Sequence, residues 1–226
     1  MLLLLLDVDG TLFLTDDPLV GEVTAEAARE VWGIDLPPDC LAQPAHEGAL
    51  ALGQARALAR QAGVPEREID AGLPRWCALH ADLYVARLAE ADTSGWRAAD
   101  HAAETLAELE TEARLALLTG NAEPIARARM ELLGLARFFP PGHGAFGCDA
   151  EDRARLIEIA RERAGGWSRE KTVAVGDTET DVAGAHAAGI RVVGVHGDPE
   201  ALAGADARIS SLSSLPEALS SLRPSG

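Results

Sequence analysis

The chain has 226 residues, enough for one sizeable core or a core with a smaller lobe. Its 36 acidic against 20 basic residues leave a net charge of −16, a surface that repels nucleic acid and anionic membranes. Lys171 is the only lysine, so a site for an anionic ligand must find its cation locally, almost always in an arginine.

Cys40, Cys77 and Cys148 are sparse, odd in number and without metal-type spacing. That pattern predicts reduced thiols in a cytoplasmic protein, packed as small hydrophobes. The opening leucine run lacks a basic leader and a small-residue cleavage site, and Asp7 interrupts it, so it does not read as a signal segment. No apolar stretch reaches the length of a membrane span.

Met1–Leu12 reads MLLLLLDVDGTL. An unbroken apolar run ended by turn residues predicts a strand buried on both faces of a parallel sheet. It delivers Asp7 and Asp9 at its carboxyl end, two residues apart and so on one side of an extended chain, with Gly10 free to turn. Ligands of open α/β folds gather at that edge.

Residues 13–20 read as a turn or flap. Thr24 then reads as the N-cap of a helix over Ala25–Trp32, which Pro37-Pro38 stops. QPAHEG over Gln43–Gly48 is a loop. A helix is predicted over Ala49–Ala62, with Leu52, Ala55, Leu58 and Ala59 on one face, and another over Glu66–Glu90, with possible breaks at Gly72 and Pro74. No strand pattern occurs between Thr15 and Asp92, so 15–92 reads as a helical insert, and 1–14 with 93–226 as the core.

From Asp92 the pattern changes. Helices are predicted over Ala98–Glu110, Pro124–Leu133, Asp149–Ala164, Val182–Ala188 and Leu215–Leu222. Strands alternate with them at Arg114–Leu118, Thr172–Val175, Arg191–Val195 and Ala207–Ile209. Phe138–Gly147 is an aromatic-rich turn. This alternation implies βαβ units: a doubly wound, Rossmann-like parallel sheet with helices on both faces and an inserted helical lobe.

Three strands end in polar clusters: Asp7/Asp9, Thr119-Gly120-Asn121, and Asp177-Thr178 with Asp181 four residues on. Parallel neighbours bring all three to one edge. Several carboxylates together need a counter-charge, and a hard divalent cation, most simply Mg²⁺, supplies it through oxygen ligands. A hydroxyl beside a glycine backbone, as in Thr119-Gly120, suits phosphate oxygens.

DVDGTL, LLTGN and VGDTETD, in that order, resemble the first, second and fourth motifs of the haloacid dehalogenase superfamily. The helical insert sits where that family carries its helical cap. The resemblance implies a Mg²⁺-dependent phosphatase of a small phosphorylated metabolite, similar to phosphoglycolate or sugar phosphatases. By it, Asp7 is the nucleophile, and Asp9 first protonates the leaving oxygen and then activates water. Asp7, the Asp9 main-chain carbonyl and Asp177 hold the metal. Thr119 binds the phosphoryl group with the amides around Gly120 and Asn121, and Thr178 and Asp181 support the metal from behind. The family's third motif is a cation, often a lysine before a helix, and here the chain departs from it. Lys171 precedes a strand at the far edge, so Arg153 is the candidate and Arg155 the alternative. Gln43, His46, Glu47 and Gly48 in the cap loop are candidates for contacting the substrate. His143 and His186 read as structural or solvated, and Trp32, Trp76, Trp96 and Trp167 as packing residues.

Two rivals share these motifs: a phosphosugar mutase of the β-phosphoglucomutase type, and a catalytically silent binding protein. The sequence leaves monomer and homodimer both open.

Overall fold

The computed structural model describes residues 1–41 and 48–222. β1 (Leu2–Leu6), β2 (Ala113–Leu117), β3 (Thr172–Gly176), β4 (Arg191–Val195) and β5 (Ala207–Ile209) form one parallel sheet in the order β2-β1-β3-β4-β5. Leu3–Leu6 are completely buried, as expected for a central parallel strand. Alternate leucines feed opposite faces. Leu4 and Leu6 join α4 (Ala102–Leu109), α5 (Glu123–Leu132) and α8 (Leu215–Ser221). Leu3 and Leu5 join α6 (Arg153–Arg163) and α7 (Glu179–Ala187).

The register aligns the strand ends. Leu6 pairs with Leu117 on one side and Val175 on the other. The ladder runs on through Leu118 N donating to Leu6 O at 2.8 Å and Asp7 N donating to Val175 O at 2.9 Å. The residues that follow therefore emerge together at the carboxyl edge. The chain is an α/β protein with a Rossmann-like core and an inserted helical cap.

Between β1 and the rest lie α1 (Leu19–Trp32), α2 (Ala51–Gln61) and α3 (Glu66–Leu88), with no strand among the described residues there. Trp76, Ile69, Ala55 and Ala59 form their apolar centre. The expected N-cap Thr24 instead lies inside α1, buried, and its hydroxyl hydrogen-bonds His80 Nε2 at 3.2 Å. α1 starts earlier because the Asp17 carboxylate accepts from Leu19 N at 3.0 Å. α3 runs unbroken through Gly72 and Pro74. Gly72 is needed there: a Cβ on it would lie 2.3 Å from Trp32 Nε1.

The cysteine expectation is overturned. Cys77 on α3 and Cys148 before α6 form a disulfide, and only Cys40 is free, buried as expected. Their 71-residue separation carries no local signal, and tertiary packing alone brings their Cα atoms to 6.1 Å. Beside this bond, Ala51 N donates to Gly120 O at 2.9 Å and Leu52 N to Gly147 O at 3.0 Å. The start of α2 thus rests on the core loops. Gly120 permits this approach, since a Cβ there would lie 2.5 Å from Ala49 O.

Candidate active site

The carboxyl edge opens into a cleft of about 1200 Å³ between the sheet and the cap helices. Asp7, Asp9, Asn121, Arg153 and Asp177 line it together, although they come from four separate segments. Gly10 makes the turn after Asp9 with φ +74°, and a Cβ on it would strike the Asp177 carboxylate at 2.0 Å. Glycine is therefore required for both the turn and the close approach.

Asp7 is 6% exposed. Burial pushes its carboxyl well above the ordinary carboxylate range, Arg153 opposes this, and the charges of Asp181, Asp177 and Asp9 add to it. Asp177 is pushed up to about 7, first by burial and then by Asp181, although the Thr11 hydroxyl donates to its Oδ1 at 3.0 Å. Oxygens of Asp7, Asp177 and Asp181 lie within 4.8 Å of one another. Two crowded carboxylates with raised protonation points, Asp7 buried and Asp177 half-buried, suit a hard cation with oxygen ligands.

Asp181 is largely committed elsewhere. Its Oδ1 accepts from Arg153 Nη2, and its Oδ2 accepts from Thr178 N at 3.1 Å and Thr178 Oγ1 at 2.7 Å. That pair is the capping box at the start of α7. Thr178 lines the cleft, and Gly48 packs on it, where a Cβ would lie 2.8 Å from Thr178 Oγ1.

Arg153 opens α6, whose cap is the Asp152 carboxylate accepting from Arg155 N at 2.8 Å. Its guanidinium is buried, with Nη2 3.3 Å from Asp7 Oδ1. Nε and Nη1 have no hydrogen-bond partner among the described residues. Gly184 on α7 lets it lie there, since a Cβ would meet Arg153 Cγ at 2.4 Å. Arg155 is half exposed and pairs with Glu158 at 3.1 Å. Lys171 closes a short 3-10 turn just before β3, at the sheet's other edge.

Thr119 is fully buried, and its hydroxyl accepts from Asn121 Nδ2 at 3.1 Å and Asn121 N at 3.3 Å. Gly120 and Asn121 face the cleft in front of it. Asn121 Nδ2 also donates to Asp9 Oδ2. Gln43, His46 and Glu47 lie outside the described residues.

Two site residues escaped sequence reasoning. Thr11 stands within the DVDGTL motif, and its contact with Asp177 follows only from strand pairing. Arg129 on α5 is 1% exposed and holds Asp9 Oδ1 at 2.5 Å. An arginine in a helix reads from sequence as solvated, and nothing local distinguishes it from Arg127 nearby.

A model of haloacid dehalogenase-like hydrolases matches residues 1–189. No curated protein matches the chain. Among solved structures, β-phosphoglucomutase from Clostridium difficile is similar with a TM-score of 0.69 at 14% identity, over 98% of each chain. A CbbY variant from Rhodobacter sphaeroides, in complex with xylulose-(1,5)bisphosphate, has a TM-score of 0.67 at 20% identity, over 95% of this chain and 96% of its own. A hydrolase from Pseudomonas syringae has a TM-score of 0.66 at 19% identity, over 98% of this chain and 99% of its own. With the three strand-end motifs at one edge and the family model spanning most of its length, this chain belongs to the haloacid dehalogenase-like hydrolases.

Proposed function

We propose that the chain hydrolyses a phosphate monoester of a small metabolite through an aspartyl-phosphate on Asp7. The observation that carries this reading is the buried Arg153, which lines the cleft beside Asp7, with Nη2 3.3 Å from Asp7 Oδ1, and so places a positive charge where a phosphoryl group would meet the nucleophile. Asp7 Oδ attacks phosphorus, and the bond from phosphorus to the leaving oxygen breaks as Asp9 delivers a proton to that oxygen. Water then attacks the phosphoryl group, Asp9 takes its proton, and the Asp7 carboxylate is restored with release of phosphate. Asn121, with the Gly120 backbone and Thr119 behind it, contacts the phosphoryl oxygens, and Arg153 balances their charge.

The oxygens of Asp7, Asp177 and Asp181 come close enough together to suit a Mg²⁺ ion. Asp7 and Asp177 would hold it with the Asp9 main-chain carbonyl that the family resemblance implies, and Asp181, tied to Thr178, would support them from behind. Bound there, such an ion would shield the nucleophile from the anionic phosphoryl group.

The cleft favours a phosphatase over a mutase. The cations that line it among the described residues are Arg129 and Arg153, and both already pair with carboxylates. Asp16, Glu22 and Asp39 also line it. A second phosphate, such as the bisphosphate bound by the CbbY variant carries, would face those acids. A cytoplasmic setting, expected from sparse cysteines, has to preserve one disulfide.

Phosphate release should be measured across a panel of phosphomonoesters, with and without Mg²⁺ and without any sugar bisphosphate. Turnover that needs Mg²⁺ and disappears in Asp7→Asn is the expected result. Turnover only with a bisphosphate activator would make the chain a mutase, and full activity in Asp7→Asn would refute the mechanism.

A further inference from the structure

Arg129 has no part in the scheme above, yet it is among the largest fully buried side chains of the protein. Its donors go to three different segments. Nη1 donates to Asp9 Oδ1 at 2.5 Å, Nη2 to Asp17 Oδ2 at 2.7 Å, and Nε to Tyr84 Oη at 3.0 Å. Tyr84 Oη in turn donates to Asp17 Oδ2 at 2.6 Å, closing the circuit. Asp17 sits where the chain enters the cap, with its other oxygen on the first turn of α1. Tyr84 sits on α3 near the point where the chain leaves the cap. Both crossings between core and cap therefore meet on one guanidinium, which also grips the proposed acid-base residue.

The geometry makes the three contacts interdependent. A guanidinium is a rigid planar fork, so a shift of one partner turns the donors offered to the others. Its surroundings leave little slack, with the Phe13 ring centroid at 5.0 Å and that of Tyr84 at 5.5 Å. The other oxygen of Asp9 is held by Asn121 from the core. Asn121 and Arg129 together set the direction of the Asp9 carboxylate, and Tyr84 and Asp17 reach it only through Arg129.

We infer that Arg129 is a positioning residue that ties the orientation of Asp9 to the seating of α1 and α3. This rests on the reading of Asp9 as the group that protonates the leaving oxygen. Loosening the Tyr84 end slackens Asp9 while Asp7, Arg153 and Asp177 keep their own partners, because among the described residues none of them shares a hydrogen bond or ion pair with Tyr84 or Arg129.

The test uses leaving groups that differ in their need for a proton. Nitrophenolate departs without one, whereas an alkoxide does not. With enzyme in excess and Mg²⁺ present, the rate of alcohol release from p-nitrophenyl phosphate and from an alkyl phosphate reports only the first half-reaction. Tyr84→Phe keeps the ring packing and removes the hydroxyl. It should slow the alkyl ester about tenfold, part of the 10²–10⁴ that general acid catalysis supplies, and change nitrophenolate release less than about twofold. Arg129→Lys should show the same asymmetry more strongly, with the loss in the maximal single-turnover rate rather than in the enzyme concentration that half-saturates it; steady-state runs with substrate in excess give the matching kcat and KM. Equal losses on both esters, or a change in KM alone, would show a merely structural role and overturn the inference. Asp9→Asn is the reference. If it shows no leaving-group asymmetry while the wild-type protein turns over, the acid-base reading fails and this inference with it. If the wild-type protein releases no alcohol from any ester of the panel, the phosphatase reading itself has failed.

Discussion

Asp177→Asn should make the metal-free protein more stable while removing its use of metal. In the native chain burial, and then the neighbouring Asp181, push the Asp177 carboxyl up to about 7 from the ordinary 3.8. The folded state thus holds a proton that the unfolded state releases, and stability falls as pH rises from about 4 to about 7. At roughly 1.4 kcal/mol per unit, that raised protonation point costs about 4 kcal/mol at pH 8, less for the solvent that still reaches the group, so 2–4 kcal/mol is expected. Asparagine has no charge to lose, and its Oδ1 can still accept from Thr11. For a chain of this length the gain corresponds to roughly 4–16 °C in Tm. Thermal unfolding of both proteins in EDTA at pH 8 and pH 5.5 reads it, and comparing the pair cancels the titrating groups that lie away from Asp177. The gap should shrink to about half at pH 5.5. Mg²⁺ should raise the Tm of the native chain at pH 8 and leave the variant unmoved. A variant no more stable than the native chain at pH 8, or a gap independent of pH, would refute the charge-crowding argument.

Two further outcomes follow from the cap. Burial, and then the charge of Arg129, hold the His80 ring down to about 4, while the unfolded chain takes up its proton near 6.5. The unfolded state therefore binds more protons in that window, and stability is lost as pH falls from about 6.5 to 4. His80→Gln should flatten this dependence in urea unfolding while retaining a partner for Thr24. Cys77→Ser opens the 71-residue loop closed with Cys148 and should lower unfolding free energy by up to about 4 kcal/mol. A reductant should then shift the Tm of the native chain and leave that of the variant unchanged.

The division between sequence and tertiary structure runs along interaction range. Six apolar residues ending in Asp7-Val8-Asp9-Gly10 specify a central parallel strand and its acids, because burial pattern and turn chemistry are local. Strand-end clusters at Thr119 and Asp177 follow for the same reason, and alternation of helix and strand makes the sheet parallel. Arg153 was reached only through the resemblance's third motif, with Arg155 left as the alternative. Arg129, Thr11 and the Cys77–Cys148 bond were not legible. Each acts on a partner 71 to 166 residues away, and no periodicity encodes such a pairing. Thr24 shows the converse: its spacing suits a helix cap, but Asp17 starts the helix earlier and packing against His80 claims the hydroxyl. Sequence by itself determined which acids stand at the edge of the sheet. Tertiary structure decided which cations meet them, because a buried arginine is told from a solvated one only by what folds over it.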